Sequence, residues 1–331
     1  MTSDTSTAEP ARSGGPTSDT TKDPGRRLGT ALPTALGEAF AEYVQLLERP
    51  GGPLDHDTVR VYRSRVAQFL RWLADADVDG DALGAAASRD WAVRDYRTYL
   101  MTVARRKPST VNAHLTAVDD FYRRRGLGPA LARREELPKA APRALDHKGQ
   151  LRWLRAVEHA APRDKALAHV GFYAGLRIGE IVALDLDDVR KSARRGHLVV
   201  RYGKGGRYRE VPLHPVLAKT IDSWLGVRAK WPGADETTAL FLNRRGGRLS
   251  TRGAYDVLTT LAEDAGISVG RGGDFTPHVL RHTAGTTLTR AGTDIVLVAE
   301  ILGHSVETAR RYALPTEQDR QAAIERLPVD R

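Results

Sequence analysis

The chain has no cysteine among its 331 residues. That excludes disulfide frameworks, cysteine nucleophiles and thiolate metal sites, and it suits a reducing compartment such as the cytoplasm. Long apolar runs are missing too: no stretch approaches the roughly 20 consecutive apolar residues that a bilayer crossing needs, so the sequence reads as soluble, with no membrane partner. The first stretch, about 25 residues rich in Ser, Thr, Gly, Pro and Asp, lacks the apolar centre of a secretory signal. Residues 1–34 therefore read as a disordered tail. There is no internal repeat, and no low-complexity segment outside that tail.

What is present is length and positive charge. A chain of this size can form two domains that each bury a core without staples. Lys and Arg total 51 against 41 Asp and Glu, a net charge of +10. Such an excess favours a polyanionic partner, nucleic acid ahead of an anionic membrane, and says nothing about fold.

The pattern is mainly helical. From Leu36, the residues Phe40, Tyr43, Val44 and Leu47 share one face, and Pro50 to Pro53 end the segment. After Asp57 a second helix carries Val59, Tyr62, Val66, Phe69, Leu70 and Leu73 inward. A third is expected over Trp91 to Val103, and a fourth from an N-cap at Ser109 to Arg124, stopped by Gly126. These four make an N-terminal bundle over residues 35–126. Residues 127–146, with three prolines and several alanines, suit an exposed linker. The second domain, 147–331, begins with helices over Leu151–Ala160 and Asp164–Tyr173. Two β-type runs, His197–Arg201 and Tyr208–Leu213, flank a glycine-rich tip and predict a hairpin. Further helices are expected from Leu217, Thr251, Thr276, Ile295 and Thr308.

Five short stretches carry residues with chemical potential. In Phe275-Thr276-Pro277-His278-Val279-Leu280-Arg281-His282, threonine suits an N-cap and proline the first helical position, so His278 and Arg281 share the face of a helix start. That arrangement suits a phosphate. In Gly175-Leu176-Arg177-Ile178-Gly179-Glu180, Glu180 can brace Arg177, leaving a planar fork for two phosphate oxygens. Lys204 sits between glycines at the hairpin tip, where an ammonium can protonate a leaving oxygen. In Ile301-Leu302-Gly303-His304-Ser305, a histidine follows a helix-ending glycine. Eight residues on, Thr308-Ala309-Arg310-Arg311-Tyr312 ends in a tyrosine whose hydroxyl can attack phosphorus while His304 donates to a non-bridging oxygen. Each feature alone has a bland reading: a buried histidine beside a surface arginine, a surface ion pair, a solvated turn lysine, a core aromatic.

Together, Arg177, Lys204, His278, Arg281, His304 and Tyr312, in this order and at these separations, resemble the tyrosine recombinase (phage integrase) family. The matching stretches are Gly-Leu-Arg-Ile-Gly-Glu, the Gly-Lys-Gly-Gly hairpin ending in Val211-Pro212-Leu213, Pro-His-Val-Leu-Arg-His, Leu-Gly-His-Ser and Thr-Ala-Arg-Arg-Tyr. The resemblance is strong from Asp146 to Tyr312 and weaker over the N-terminal bundle. One departure stands out: the segment between His304 and Tyr312 is a residue shorter than the usual family spacing, which implies a different connecting turn.

The resemblance implies a SAM-like four-helix core-binding domain and a mixed, mainly α catalytic domain with a small antiparallel sheet. It implies site-specific recombination of double-stranded DNA without metal, ATP or other cofactor. Tyr312 would form a 3′-phosphotyrosyl link and release a 5′-hydroxyl; Arg177, Arg281 and His304 would stabilise the transition state; His278 would take the tyrosine proton, and Lys204 would protonate the leaving oxygen. It further implies a homotetramer on two DNA sites, integration, excision, resolution or transposition as the task, and accessory proteins that set direction. Residues Gln318–Leu327, with Ala322, Ala323, Ile324 and Leu327 on one face, are a candidate for packing on a neighbouring protomer or back on their own domain. Three other readings stay open: a non-catalytic sequence-specific DNA-binding protein, a metal enzyme using His278, His282 and His304, and a type IB topoisomerase.

Overall fold

In the computed structural model of the chain, the described residues are 32–325, except 53, 77, 79, 138–140, 192–195, 202–207 and 271, and except the side chains of 317, 318, 322 and 323. The expected tail, nearly all of it, therefore lies outside the described residues, as do Lys204 at the hairpin tip and Leu327. The chain divides into two compact units between residues 137 and 138.

The first unit holds four helices: α1 (Thr34–Leu47), α2 (His56–Asp75), α3 (Ala86–Thr102) and α4 (Pro108–Arg124). Asp55 starts α2 by accepting the Thr58 N–H at 2.8 Å, which satisfies one of the helix's free donors. The fourth helix starts earlier than expected. Pro108 takes its first position after Lys107, where a missing N–H costs nothing, so Ser109 is already helical. Tyr43, Phe69, Tyr96, Phe121 and Tyr122 fill the centre of this bundle, most of them edge-to-face. Beyond α4 the chain stays pinned to its own unit: Asp119 accepts from the Ala130 N–H, and Asn112 both donates to the Glu135 carbonyl and accepts from its N–H. The segment expected to be an exposed linker is thus hydrogen-bonded in its first half. Its polar side-chain partners lie on α4, where sequence spacing gave no sign of them.

The second unit begins with α5 (His147–Glu158), capped by Asp146, and α6 (Pro162–Tyr173), whose residues 166–171 are buried throughout. A short α7 (Ile178–Ala183) leads through a 3-10 turn into strands β1 (Val189–Lys191), β2 (Gly196–Val200) and β3 (Arg209–Pro212), paired antiparallel in that order. The hairpin β2–β3 is the expected one, with His197 opposite Pro212 and Val200 opposite Arg209. Strand β1 was not expected, because three residues are too few to show alternation. Helices α8 (Pro215–Arg228), α9 (Thr251–Asp264), α10 (Pro277–Arg290) and α11 (Ile295–Leu302) follow. Last come α12 (Val306–Ala309), a 3-10 turn over Arg310–Ala313, and α13 (Glu317–Ile324). Trp153 stacks on Phe275 at 5.2 Å, and with Trp224 and Phe241 they anchor one apolar core. A smaller cluster of Val298, Ala299, Leu302, Ala309 and Tyr312 ties α11 to the segment after it. Among the described residues no helix is long and apolar enough to cross a membrane.

Candidate active site

The site is built around the C-terminal end of α11. A helix leaves its last carbonyls without partners and carries partial negative charge there. Here three successive carbonyls are taken up by three arginines from separate parts of the chain. Arg209 Nε donates to Ile301 O at 3.0 Å, Arg281 Nη2 donates to Leu302 O, and Arg177 Nη2 donates to Gly303 O at 3.3 Å. Gly303 adopts a left-handed conformation (φ 62°) that turns the chain out of the helix, and a Cβ there would stand 2.9 Å from Arg209 Nη1. Both demands call for glycine.

One carboxylate holds the arginines together. Glu180, buried in the first turn of α7, accepts the Arg177 backbone N–H at 2.9 Å and Arg177 Nη1 at 2.7 Å. Its two oxygens also accept Arg209 Nη1 at 3.2 Å and Arg209 Nη2 at 2.7 Å, and Arg281 Nη1 lies 3.9 Å away. Burial alone would push the Glu180 carboxyl up; the hydrogen bonds and charges of Arg209 and Arg177 outweigh it and hold the group down at about 2. Arg281 is 2 % exposed, and its Nη1 also donates to Gly175 O at 2.7 Å. Burial, with Arg177 nearby, pushes Arg281 down to about 10, so it remains cationic at neutral pH. Three guanidiniums against one carboxylate leave the pocket positive, the condition for holding an anion.

Tyr312 lies in the 3-10 turn that continues α12 without a break. Its ring is 4 % exposed and rests on Gly285 of α10, where an added Cβ would come within 2.6 Å of the ring. The Tyr312 hydroxyl stands 3.5 Å from His304 Nδ1 and 3.4 Å from His282 Nδ1. His304 Nε2 in turn accepts from Arg281 Nε at 3.3 Å. Burial raises the Tyr312 hydroxyl above the usual tyrosine range, against the pull of Arg281, Arg177 and Arg311. Burial likewise pushes His304 down to about 3 and His282 to about 4, with Arg281 adding to both. His278 is exposed at the second position of α10, its ring centre 6.4 Å from that of His282.

Of the residues expected from sequence, the structure brings Arg177, Arg281, His304 and Tyr312 into one hydrogen-bonded cluster, with His278 at its edge. Two members went unread. Arg209 hid in a strand, although it is in phase with the inward-facing Val211, and an arginine on the buried face of a strand is itself a signal. His282 was weighed only as a metal ligand. Among the described residues no group of three His, Cys, Asp or Glu side chains is placed to hold a metal ion, so His278, His282 and His304 do not form such a set.

A sequence profile of the phage integrase family matches residues 143–319. The chain is 42% identical over 162 residues to tyrosine recombinase XerD of Mycobacterium leprae, a match covering 47% of this chain and 49% of the relative. It is 31% identical over 303 residues to tyrosine recombinase XerA of Thermococcus kodakarensis, covering 90% of this chain and 96% of the relative. It thus spans about half the length of the first relative and nearly all of the second. Among solved structures, XerH site-specific recombinase bound to difH substrate gives a TM-score of 0.66 at 17% identity over 88% of this chain and 95% of that one. A lambda integrase tetramer bound to a Holliday junction gives 0.64 at 17% identity over 85% and 79%. These likenesses show the fold, mainly helical with a small antiparallel sheet. The chain belongs to the phage integrase family, as a tyrosine recombinase.

Proposed function

We propose that the chain cuts and rejoins duplex DNA at specific sites through a 3′-phosphotyrosyl intermediate, with Tyr312 as nucleophile. The observation that carries this reading is the placement of the Tyr312 hydroxyl against His304, whose other nitrogen touches Arg281 in a pocket of three arginines. A phosphodiester seated on Arg177 and Arg281 meets fixed donors for its non-bridging oxygens, and His304 adds a third. Attack forms the Tyr312 O–P bond and breaks the bond to the 5′-oxygen. Lys204, outside the described residues, protonates that oxygen as the motif implies. The energy of the broken ester is kept in the phosphotyrosine, so rejoining needs no ATP.

The four-helix unit acts as the core-binding domain and the second unit as the catalytic domain, both using arginines and lysines on phosphates. The working assembly is a homotetramer on two duplexes, which act through a Holliday junction. The reaction takes place in the cytoplasm, on integrating, excising, resolving or transposing DNA, with accessory proteins setting direction. The test is a nicked suicide substrate incubated with the protein in EDTA and resolved on a denaturing gel. A covalent adduct from the wild type and none from Tyr312→Phe, at equal DNA affinity, is the expected result. No adduct from either variant on a bound substrate would overturn the reading in favour of a DNA-binding protein without catalysis.

A further inference from the structure

The three arginines of the pocket differ in what they bond. Arg281 gives its three nitrogens to uncharged groups, the carbonyls of Gly175 and Leu302 and the His304 ring, and lies 3.9 Å from Glu180. Arg177 places Nη1 on Glu180 and Nη2 on Gly303 O, and its side chain is 22 % exposed, the most open of the three. Arg209 lays both ends of its fork on the two Glu180 oxygens, at 3.2 and 2.7 Å, and its Nε donates to Ile301 O. Its side chain is 6 % exposed. Burial works against the Glu180 charge, and of the groups that overcome it Arg209 comes ahead of Arg177. The carboxylate is therefore matched chiefly by Arg209, and Arg177 and Arg281 keep most of their positive charge. A phosphodiester enters such a pocket with one negative charge. It gains a second in the pentacoordinate state, as the tyrosine oxygen joins phosphorus without its proton, so the reaction calls for two unmatched cations.

We infer that Arg209 is a positioning residue for cleavage: it neutralises Glu180 and so leaves the charges of Arg177 and Arg281 to the scissile phosphate. This rests on the recombinase reading above. In the step itself the Tyr312 proton passes to His278, as the motif implies, the Tyr312 O–P bond forms, and the bond from phosphorus to the 5′-oxygen breaks. Arg209 touches none of these atoms and acts through Glu180 alone. Without it, a carboxylate that is 5 % exposed is left with Arg177 and Arg281 as its only cations in this cluster. A buried charge stripped of its partner turns on whatever opposite charge is nearest. The pocket then falls short of the second negative charge just where the transition state develops it.

The experiment is single-turnover cleavage of the suicide substrate by the full chain, below the melting temperature of each variant and with DNA affinity measured alongside. Arg209→Gln is expected to cleave about 100-fold more slowly, the loss that follows removal of one charge-stabilising group. Arg209→Lys keeps the charge without the fork and is expected to cleave at least about tenfold faster than Arg209→Gln. Adding Glu180→Gln to Arg209→Gln removes the stranded carboxylate, and the double variant is expected to recover as much. A purely structural Arg209 gives the opposite pattern: the lysine and glutamine variants slowed alike, and the double variant slower than the single. Either of those results would overturn the inference. Should Arg209→Gln not fold by itself, the double variant is read against the wild type: a rate above about a tenth supports the inference and a lower one overturns it. Absence of any wild-type adduct would refute the recombinase reading itself, whereas a wild-type adduct with Arg209→Lys and Arg209→Gln slowed alike refutes only the role of Arg209.

Discussion

Replacing Glu180 with glutamine keeps the shape of the side chain and removes the charge that three guanidiniums share. The carboxyl sits at about 2 instead of 4.5, and each unit of such a difference is worth about 1.4 kcal/mol. Its side chain is 5% exposed, so solvent screens little of this. The folded state should therefore lose about 3 kcal/mol in Glu180→Gln at pH 7. For a domain of this size that corresponds to a fall of roughly 6–12 °C in melting temperature. The sign follows from the lowered carboxyl: its contribution is complete above about pH 4.5 and disappears as pH falls through about 2. Melting curves of the two proteins at pH 7 and pH 3 test this, and the gap between them should shrink to less than half at the lower pH. A gap under about 1 kcal/mol at pH 7, or an equal gap at both, would refute the idea that Glu180 holds the arginines as an ionised group.

Two further substitutions probe the same cluster. Gly285→Ala puts a methyl within 2.6 Å of the Tyr312 ring, and displacing the proposed nucleophile by about 1 Å should slow suicide-substrate cleavage about 100-fold with DNA affinity intact in a gel-shift assay. Arg209→Lys keeps the charge and loses the fork on Glu180 and the bond to Ile301 O; thermal melts should show a loss of about 2 kcal/mol.

Sequence carried the site further than the fold around it. Residues at helix starts were legible because capping chemistry is local: Pro277 fixes where α10 begins, and that placed His278 and Arg281 together. Glu180 was legible as the brace of Arg177, three residues away. Its bonds to Arg209, 29 residues on, were not, because nothing local records a pairing between a strand and a helix. Ser109 failed as a cap for a related reason: Lys107-Pro108 offered a start two residues earlier, and proline at the first position prevailed over the hydroxyl. The direction of the Tyr312 hydrogen bonds could not be read at all, since it depends on which nitrogen of His304 Arg281 reaches.

The end of α11 has a consequence for how the protein handles DNA while it is still folding. Arg177, Arg209 and Arg281 come from three separate segments, and two of them meet their carbonyls across 126 and 92 residues of chain. No fragment shorter than the stretch from Arg177 to Gly303 holds all the members of the anion pocket. On the proposed function, a chain emerging from synthesis, or one partly unfolded by heat, carries Tyr312 without the charges that would let it attack a phosphodiester. On the proposed function, a protein that cuts DNA is thereby inert until its fold is complete.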